Sequence, residues 1–206
     1  MTDMNETDDE RRHREKMAKR KAVQDAEVAS KTVESKGLLI VHTGAGKGKS
    51  TAAFGLVMRA LGYSWQVGVV QFIKGAWDTG EKHALERFPD LVRWHTMGEG
   101  FTWETQDKAR DIAAAGAAWD KAKELMADPT IRLLVLDELN IALRYDYLDL
   151  ADVVATLSAR RPDLHVVVTG RNAKPEMIEA ADLVTEMTLV KHHFKAGVKA
   201  QQGIEF

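Results

Sequence analysis

Thr43-Gly44-Ala45-Gly46-Lys47-Gly48-Lys49-Ser50-Thr51 stands between an apolar run at residues 38–42 and an amphipathic stretch at residues 49–61. A glycine-rich turn between a strand and a helix lets successive backbone N–H groups point inward at phosphate oxygens, and the positive end of the following helix adds to their attraction. Lys49 then neutralises bound phosphate, Lys47 adds a second cation, and the Ser50 hydroxyl is placed to ligate magnesium. The usual pattern, G-x-x-x-x-G-K-[ST], has glycine where this chain has Thr43, which puts the loop's first turn in question. The competing reading, a glycine-rich turn without a ligand, is disfavoured by the strand-to-helix context.

Outward from this loop, apolar runs of four to eight residues alternate with longer amphipathic stretches, the pattern of a parallel sheet built from βαβ units. Strands are predicted at residues 38–42, 67–73, 91–96, 131–137, 165–169 and 183–189. Helices are predicted at 49–61, 81–87, 104–126, 148–159 and 175–180. Several strands are apolar on both faces, as strands covered by helices on both sides must be. Pro129, Pro162 and Pro175 fall at element edges, where proline is tolerated. The fold class predicted is α/β, a RecA-like P-loop NTPase fold with a mostly parallel sheet of about six strands flanked by helices.

A second motif supports the first. The apolar run 131–136 ends in Asp137-Glu138, two carboxylates at the carboxyl end of a strand, where open α/β sheets bind ligands. An acid there holds magnesium, directly or through water, in proteins with such a phosphate loop. Ser50, Asp137 and Glu138 are therefore the candidate metal ligands, for Mg2+ or Mn2+.

Charge is unevenly placed. Residues 1–36 carry nine acids and nine bases, with no glycine or proline, so they cannot build a core, yet their composition favours helix. The predicted organisation is a charged N-terminal helix at 1–36 appended to a nucleotide-binding domain at 37–206. Composition alone favours a solvated arm. The sharper alternative is a lid or partner arm whose bases, Arg11 to Lys21 with Met17 among them, meet an anionic ligand. The whole chain, 206 residues, has a formal charge of −2, so no global basic field attracts nucleic acid or anionic lipid. With no cysteine, disulfides, thiolate metal sites and a cysteine nucleophile are excluded. No run of about 18 apolar residues suggests a membrane span, and the N-terminus lacks the apolar region of a signal peptide, which leaves the cytoplasm as the expected location.

A phosphate loop and an acid pair serve many reactions, so these elements do not select one. Alternatives include a P-loop ATPase acting on nucleic acid through Arg11 to Lys21, and a nucleotide-binding regulatory subunit. The net charge, and the lack of an evident catalytic glutamate or arginine-finger segment, argue against the ATPase.

The phosphate loop extended through Ala52-Ala53-Phe54-Gly55 joins four further segments: Gly100-Phe101-Thr102-Trp103-Glu104-Thr105, Val135-Leu136-Asp137-Glu138-Leu139-Asn140, Val168-Thr169-Gly170-Arg171, and Lys191-His192-His193-Phe194 with Gly197 to Phe206. Together these closely resemble the P-loop corrinoid adenosyltransferases, the ATP:cob(I)alamin adenosyltransferases of the bacterial cobalamin pathway. Nearly the whole chain takes part in the resemblance, the basic N-terminal helix included. Thr43 in the first loop position is shared with that family. Ala45 stands where many members have asparagine.

The resemblance implies that cobalt(I) of a reduced corrinoid, such as cob(I)alamin or cob(I)yrinic acid a,c-diamide, attacks the 5′ carbon of ATP and expels the whole triphosphate. Residues 43–51 and Arg171 would then bind the nucleotide, and Lys47, Lys49, Ser50 with its metal ion, and Glu138 would stabilise charge on the leaving group. Phe101 and Trp103, otherwise simple packing aromatics, match residues that displace the corrinoid's lower axial ligand and so make reduction to cobalt(I) accessible. The resemblance further implies a flavin-dependent reductase or flavodoxin as electron donor, a homodimer, and no membrane or nucleic-acid partner. His192 and His193 look like a metal pair, but adjacent residues on a strand face opposite sides, so they are expected to be structural or ligand-adjacent.

Overall fold

The computed structural model describes residues 7–33, 35–73, 79–97 and 107–205. The chain divides into two compact units, Met1–Ser35 and Lys36–Phe206.

The first unit is α1, Asp8–Ala29. Its start is fixed by a capping box. Thr7 Oγ1 accepts the N–H of Glu10 at 3.3 Å, and Glu10 returns a carboxylate to the N–H of Thr7 at 2.7 Å. Asp8, Asp9 and Glu10 fill the first turn, where a helix favours negative charge. Arg11 pairs with Asp8 at 2.7 Å and Lys21 with Asp25 at 2.5 Å, surface pairs of small energetic weight.

The second unit is a six-stranded parallel sheet in the order β3-β2-β4-β5-β1-β6. The strands are β1 (Leu39–Thr43), β2 (Gln66–Gln71), β3 (Val92–Thr96), β4 (Ile131–Asp137), β5 (His165–Thr169) and β6 (Leu183–Glu186). The helices are α2 (Lys49–Gly62), α3 (Gly80–Leu85), α4 (Lys108–Ala127), α5 (Leu139–Arg144), α6 (Leu150–Ser158) and α7 (Pro175–Ala180), and a 3₁₀ turn follows at His193–Ala196. The predicted P-loop α/β class is the class observed.

Strand alternation divides the core into two layers. Leu39, Val41, Val70, Leu134, Leu136, Val166 and Val168 face one side and pack with α4, α5 and α6. Ile40, Val67, Val69, Leu133, Val135 and Val167 face the other and pack with Ala53, Phe54 and Val57 of α2. Burying each such aliphatic side chain contributes about 1.5–3 kcal/mol, which makes β4 and β5 the firm floor beneath the ligand end of the sheet.

Boundaries depart from expectation where polar contacts override the pattern. Residues 183–189 are predicted as one strand, but β6 stops at Glu186. Beyond it Met187 turns to the phosphate loop, giving its N–H to Thr43 O at 2.9 Å and taking the N–H of Gly46 at 2.6 Å. β2 likewise ends at Gln71, short of residue 73. No predicted helix covers α5. It begins immediately after β4 because Glu138 adopts a left-handed backbone, φ 64°, and starts a helix of only six residues. α4 and α6 open on Asp107 and Asp149, whose carboxylates cap Arg110 N at 3.1 Å and Asp152 N at 2.8 Å. Residues 104–106 of the predicted helix 104–126 lie outside the described residues.

Candidate active site

The loop after β1 is shaped by glycines that no other residue replaces. Gly44 has φ +94°, and a Cβ there would stand 2.5 Å from the carbonyl oxygen of Met187. At Gly46 a Cβ would meet the same oxygen at 2.7 Å. Thr43, the departure from the usual motif, is the last residue of β1, so it needs no positive φ. Its hydroxyl accepts the N–H of Ala173 at 3.0 Å and ties the loop to the segment after β5. The left-handed turn falls one residue later, on Gly44.

Lys49 is buried, and its ammonium donates to the carbonyls of Gly46 at 2.6 Å and Gly44 at 3.0 Å. Burial lowers its pKa, as does the charge of Arg171 and Lys47, while Glu138 and Asp137 oppose the shift. Lys47 is exposed, and its ammonium lies 2.6 Å from Glu205 Oε2. That hydrogen bond holds the Glu205 carboxyl below the ordinary carboxylate range.

At the end of β4, Asp137 is fully buried. Its Oδ1 accepts the hydroxyls of Ser50 at 2.8 Å and Thr169 at 2.7 Å, and its Oδ2 accepts the amide of Gln71 at 3.1 Å. Thr169 Oγ1 also receives the N–H of Glu138 at 2.9 Å, so the last residue of β5 locks the turn that follows β4. This is possible because β5 lies between β1 and β4 in the sheet. Gly170, φ +128°, leaves the space that the Glu138 carboxylate uses: a Cβ there would lie 3.2 Å from Glu138 Oε2 and 2.8 Å from Asn140 Cβ.

These elements border a cleft of 980 Å³. That is at the upper end of ordinary ligand pockets, about 300–1,000 Å³. Lys47, Lys49, Ser50, Thr51, Glu138 and Arg171 line it, as do Gly46 and Gly48. Ala45 is exposed on the same loop. Arg144, Tyr145 and the C-terminal stretch that includes His192, His193, Ile204 and Glu205 line the cleft as well. Phe101 and Trp103 lie outside the described residues.

The donor set suits a hard divalent cation. Ser50 gives its proton to Asp137, so that hydroxyl has only lone pairs left to offer, and the neighbouring Glu138 adds a second carboxylate beside an all-oxygen site. Among the described residues no group of three or more histidines and acids forms a ready metal cage. One hydroxyl with nearby carboxylates is the usual arrangement for magnesium, which keeps waters and takes substrate phosphates as its other ligands.

The two histidines differ from expectation. They do not lie on a strand: His192 caps the 3₁₀ turn, accepting the N–H of Phe194 at 3.1 Å, and His193 begins that turn. Their rings are 4.8 Å apart rather than on opposite faces. His193 Nε2 stands 2.6 Å from Glu205 Oε1, which places it in the charge network of Lys47. Sequence reasoning assigned no role to Gln71, Thr169 or Glu205. Thr169 and Glu205 stand inside the quoted motifs, but their partners are fixed by strand order and chain return.

A parallel sheet with a phosphate loop after one strand, and an acid joined to the loop's serine at the end of another, defines a P-loop nucleotide-binding protein. Residues 35–206 match the family model described as ATP:corrinoid adenosyltransferase BtuR/CobO/CobP, and residues 2–28 match that of the cob(I)alamin adenosyltransferase N terminal. The chain belongs to the ATP:corrinoid adenosyltransferase family. It is 61% identical over 204 residues to a corrinoid adenosyltransferase of Pseudomonas aeruginosa, covering 98% of this chain and 100% of that one. A corrinoid adenosyltransferase of Sinorhizobium is 58% identical, with 96% and 93% covered. The corrinoid adenosyltransferase CobA of Salmonella typhimurium is 47% identical, with 95% and 98% covered. The nucleic-acid ATPase and regulatory-subunit alternatives are not favoured by these matches. Among the described residues no helix is long and apolar enough to cross a membrane.

Proposed function

We propose that this chain transfers the 5′-deoxyadenosyl group of ATP to the cobalt(I) of a reduced corrinoid and releases triphosphate. The observation that carries this reading is the convergence of Lys47, Lys49, Ser50, Glu138 and Arg171 on one cleft, in a chain that belongs to the corrinoid adenosyltransferase family. In the reaction, the cobalt(I) electron pair forms a bond to C5′ as the C5′–O bond breaks. That bond's electron pair leaves with the triphosphate oxygen, so no phosphoryl group is transferred. The nucleophile is the substrate's own cobalt, and the protein needs no general base to create it.

The protein's work is then orientation and charge. The loop's backbone and Lys49 hold the triphosphate, with Thr43 to Thr51 and Arg171 as its binding residues. Lys47, Lys49 and Arg171 stabilise the negative charge that grows on the departing oxygen, and Lys49 is fixed beforehand by its bonds to the loop carbonyls. Bound magnesium or manganese supplies further neutralisation of that charge. Ser50 would hold it, with Asp137 and Glu138 as the acids beside it. Fixing C5′ against the cobalt supplies much of the rate. Phe101 and Trp103 are assigned, by resemblance, to displacing the corrinoid's lower axial ligand. The same reading makes the enzyme a cytoplasmic homodimer served by a flavin-dependent reductase or flavodoxin.

The experiment is direct. ATP isotopically labelled at C5′ is incubated anaerobically with magnesium and chemically reduced cobalamin. The reading requires the label to appear bonded to cobalt in a light-sensitive product. Label confined to ADP or AMP overturns it.

A further inference from the structure

β4, β2 and β3 are adjacent, and their last residues stand in one row: the register sets Asp137 opposite Gln71, and Gln71 opposite Thr96. The side chains are bonded in the same order. Trp94 Nε1 donates to Thr96 Oγ1 at 3.1 Å, Thr96 Oγ1 donates to Gln71 Oε1 at 3.2 Å, and Gln71 Nε2 donates to Asp137 Oδ2 at 3.1 Å.

Each direction in this row follows from chemistry. An indole N–H only donates, so the Thr96 oxygen accepts it and has its own proton left for Gln71. That contact orients the amide, with its oxygen toward Thr96 and its nitrogen toward the carboxylate. Trp94 is itself held by stacking on Phe54 of α2, ring centroids 5.3 Å apart and planes 18° from parallel. α2 is the helix that starts at Lys49 and Ser50, so the row leaves the phosphate loop's helix at Phe54 and returns to it at Ser50 through Asp137.

Gln71 is buried at the end of a strand whose neighbouring inward positions are valines. A valine or leucine there would serve packing equally well. What the amide adds is a hold on the second oxygen of Asp137. Ser50 and Thr169 bond to Oδ1 and Gln71 bonds to Oδ2, so the amide helps fix one edge of the carboxylate while the two hydroxyls fix the other.

We infer that Gln71, oriented by Thr96 and Trp94, is a positioning residue that aligns Asp137 toward Ser50 and so sets the affinity of the loop for the divalent cation that accompanies the nucleotide. The inference rests on the proposed reading of the cleft as a site for ATP with a metal ion.

The test is calorimetric titration of ATP into the full chain at stepped magnesium concentrations, with no corrinoid present. The wild-type chain should bind ATP more tightly as magnesium rises. Gln71→Leu should raise the half-saturating magnesium concentration about tenfold or more, the usual effect of losing a group that orients a metal ligand, and leave ATP affinity in EDTA unchanged. Thr96→Val, nearly the same shape without the hydroxyl, should raise it several-fold, and Thr96→Ser should restore it. A merely structural role predicts no such rescue. Circular dichroism establishes that each variant is folded, and if Gln71→Leu is not, the Thr96 pair decides. Wild-type magnesium dependence in the folded variants overturns the inference, as does equal loss with and without metal, or ATP binding by the wild-type chain that ignores magnesium. A chain that binds ATP in this magnesium-dependent way yet transfers no adenosyl group overturns the proposed function and leaves the role of Gln71 standing.

Discussion

Lys47 and Glu205, 158 positions apart in sequence, meet in a 2.6 Å ion pair at the rim of the phosphate cleft. The carboxylate neutralises a cation that the triphosphate also needs, so the two anions compete for one ammonium. Glu205→Gln should therefore bind inorganic tripolyphosphate several-fold more tightly at low salt, with the gain shrinking as salt screens the exposed pair. Calorimetry at two ionic strengths checks this, and unchanged affinity at low salt counts against competition. Because the Glu205 carboxyl is held below its ordinary range, the pair persists into mildly acid solution and is lost as pH falls through the lowered value.

Lys49 performs a different task from Lys47. Its buried ammonium is bonded to two loop carbonyls, so it is fixed before any phosphate arrives. Lys49→Ala should lower kcat by about 100- to 1,000-fold, the typical cost of removing one preorganised group that stabilises developing charge. The loss of its bonds to Gly44 and Gly46 should cost about 1–3 kcal/mol of stability, since those carbonyls are left unpaired. Steady-state rates and urea denaturation separate the two effects. A variant with near-normal kcat would remove Lys49 from the leaving-group role.

Stability should fall on mild acidification. His42, His95 and His165 all have pKa values lowered from the ordinary 6.5, chiefly because burial disfavours the charged ring. The folded chain thus binds fewer protons than the unfolded one below that value. The stabilising contribution is complete above about pH 6.5 and is lost as pH falls through the lowered values. His165 gives this a structural form, since its Nδ1 accepts the N–H of Leu38 at 3.2 Å, which a protonated ring cannot do. Melting temperature should drop between about pH 7.5 and about pH 5.5, and His165→Gln, which keeps an acceptor without a titrating group, should reduce that drop. An equal slope in both chains would exclude His165 as a contributor.

Trp103→Ala should spare ATP affinity and impair turnover with cobalt(II) corrinoid and a reductase, while chemically reduced cobalt(I) corrinoid is still adenosylated. The comparison isolates axial-ligand displacement from alkyl transfer. Equal loss with both corrinoid states would sink the assigned role.

How far the sequence could be read followed the range of the interactions. β1, β4 and β5 were legible because runs such as 133–136 are apolar at consecutive positions, as doubly covered strands must be. The phosphate loop was legible because its glycines serve a local backbone need. The end of β6 was not, since nothing local in residues 183–189 marks where Met187 leaves the sheet to bond with Gly46. α5 escaped because six residues carry little periodicity and its start depends on the left-handed backbone of Glu138. Gln71 stands inside the predicted strand 67–73, and nothing near it in sequence marks its partner. Its contact with Asp137, 66 residues later, exists only after β2 and β4 pair in register.

The fate of the phosphates tests the account most directly. Chain, ATP, magnesium and chemically reduced cobalamin are mixed without oxygen, and phosphorus NMR follows the products beside the absorbance of the corrinoid. The account predicts intact triphosphate in equal amount to a photolabile alkylcobalamin. Release of ADP and phosphate, or triphosphate without alkylated corrinoid, would contradict it.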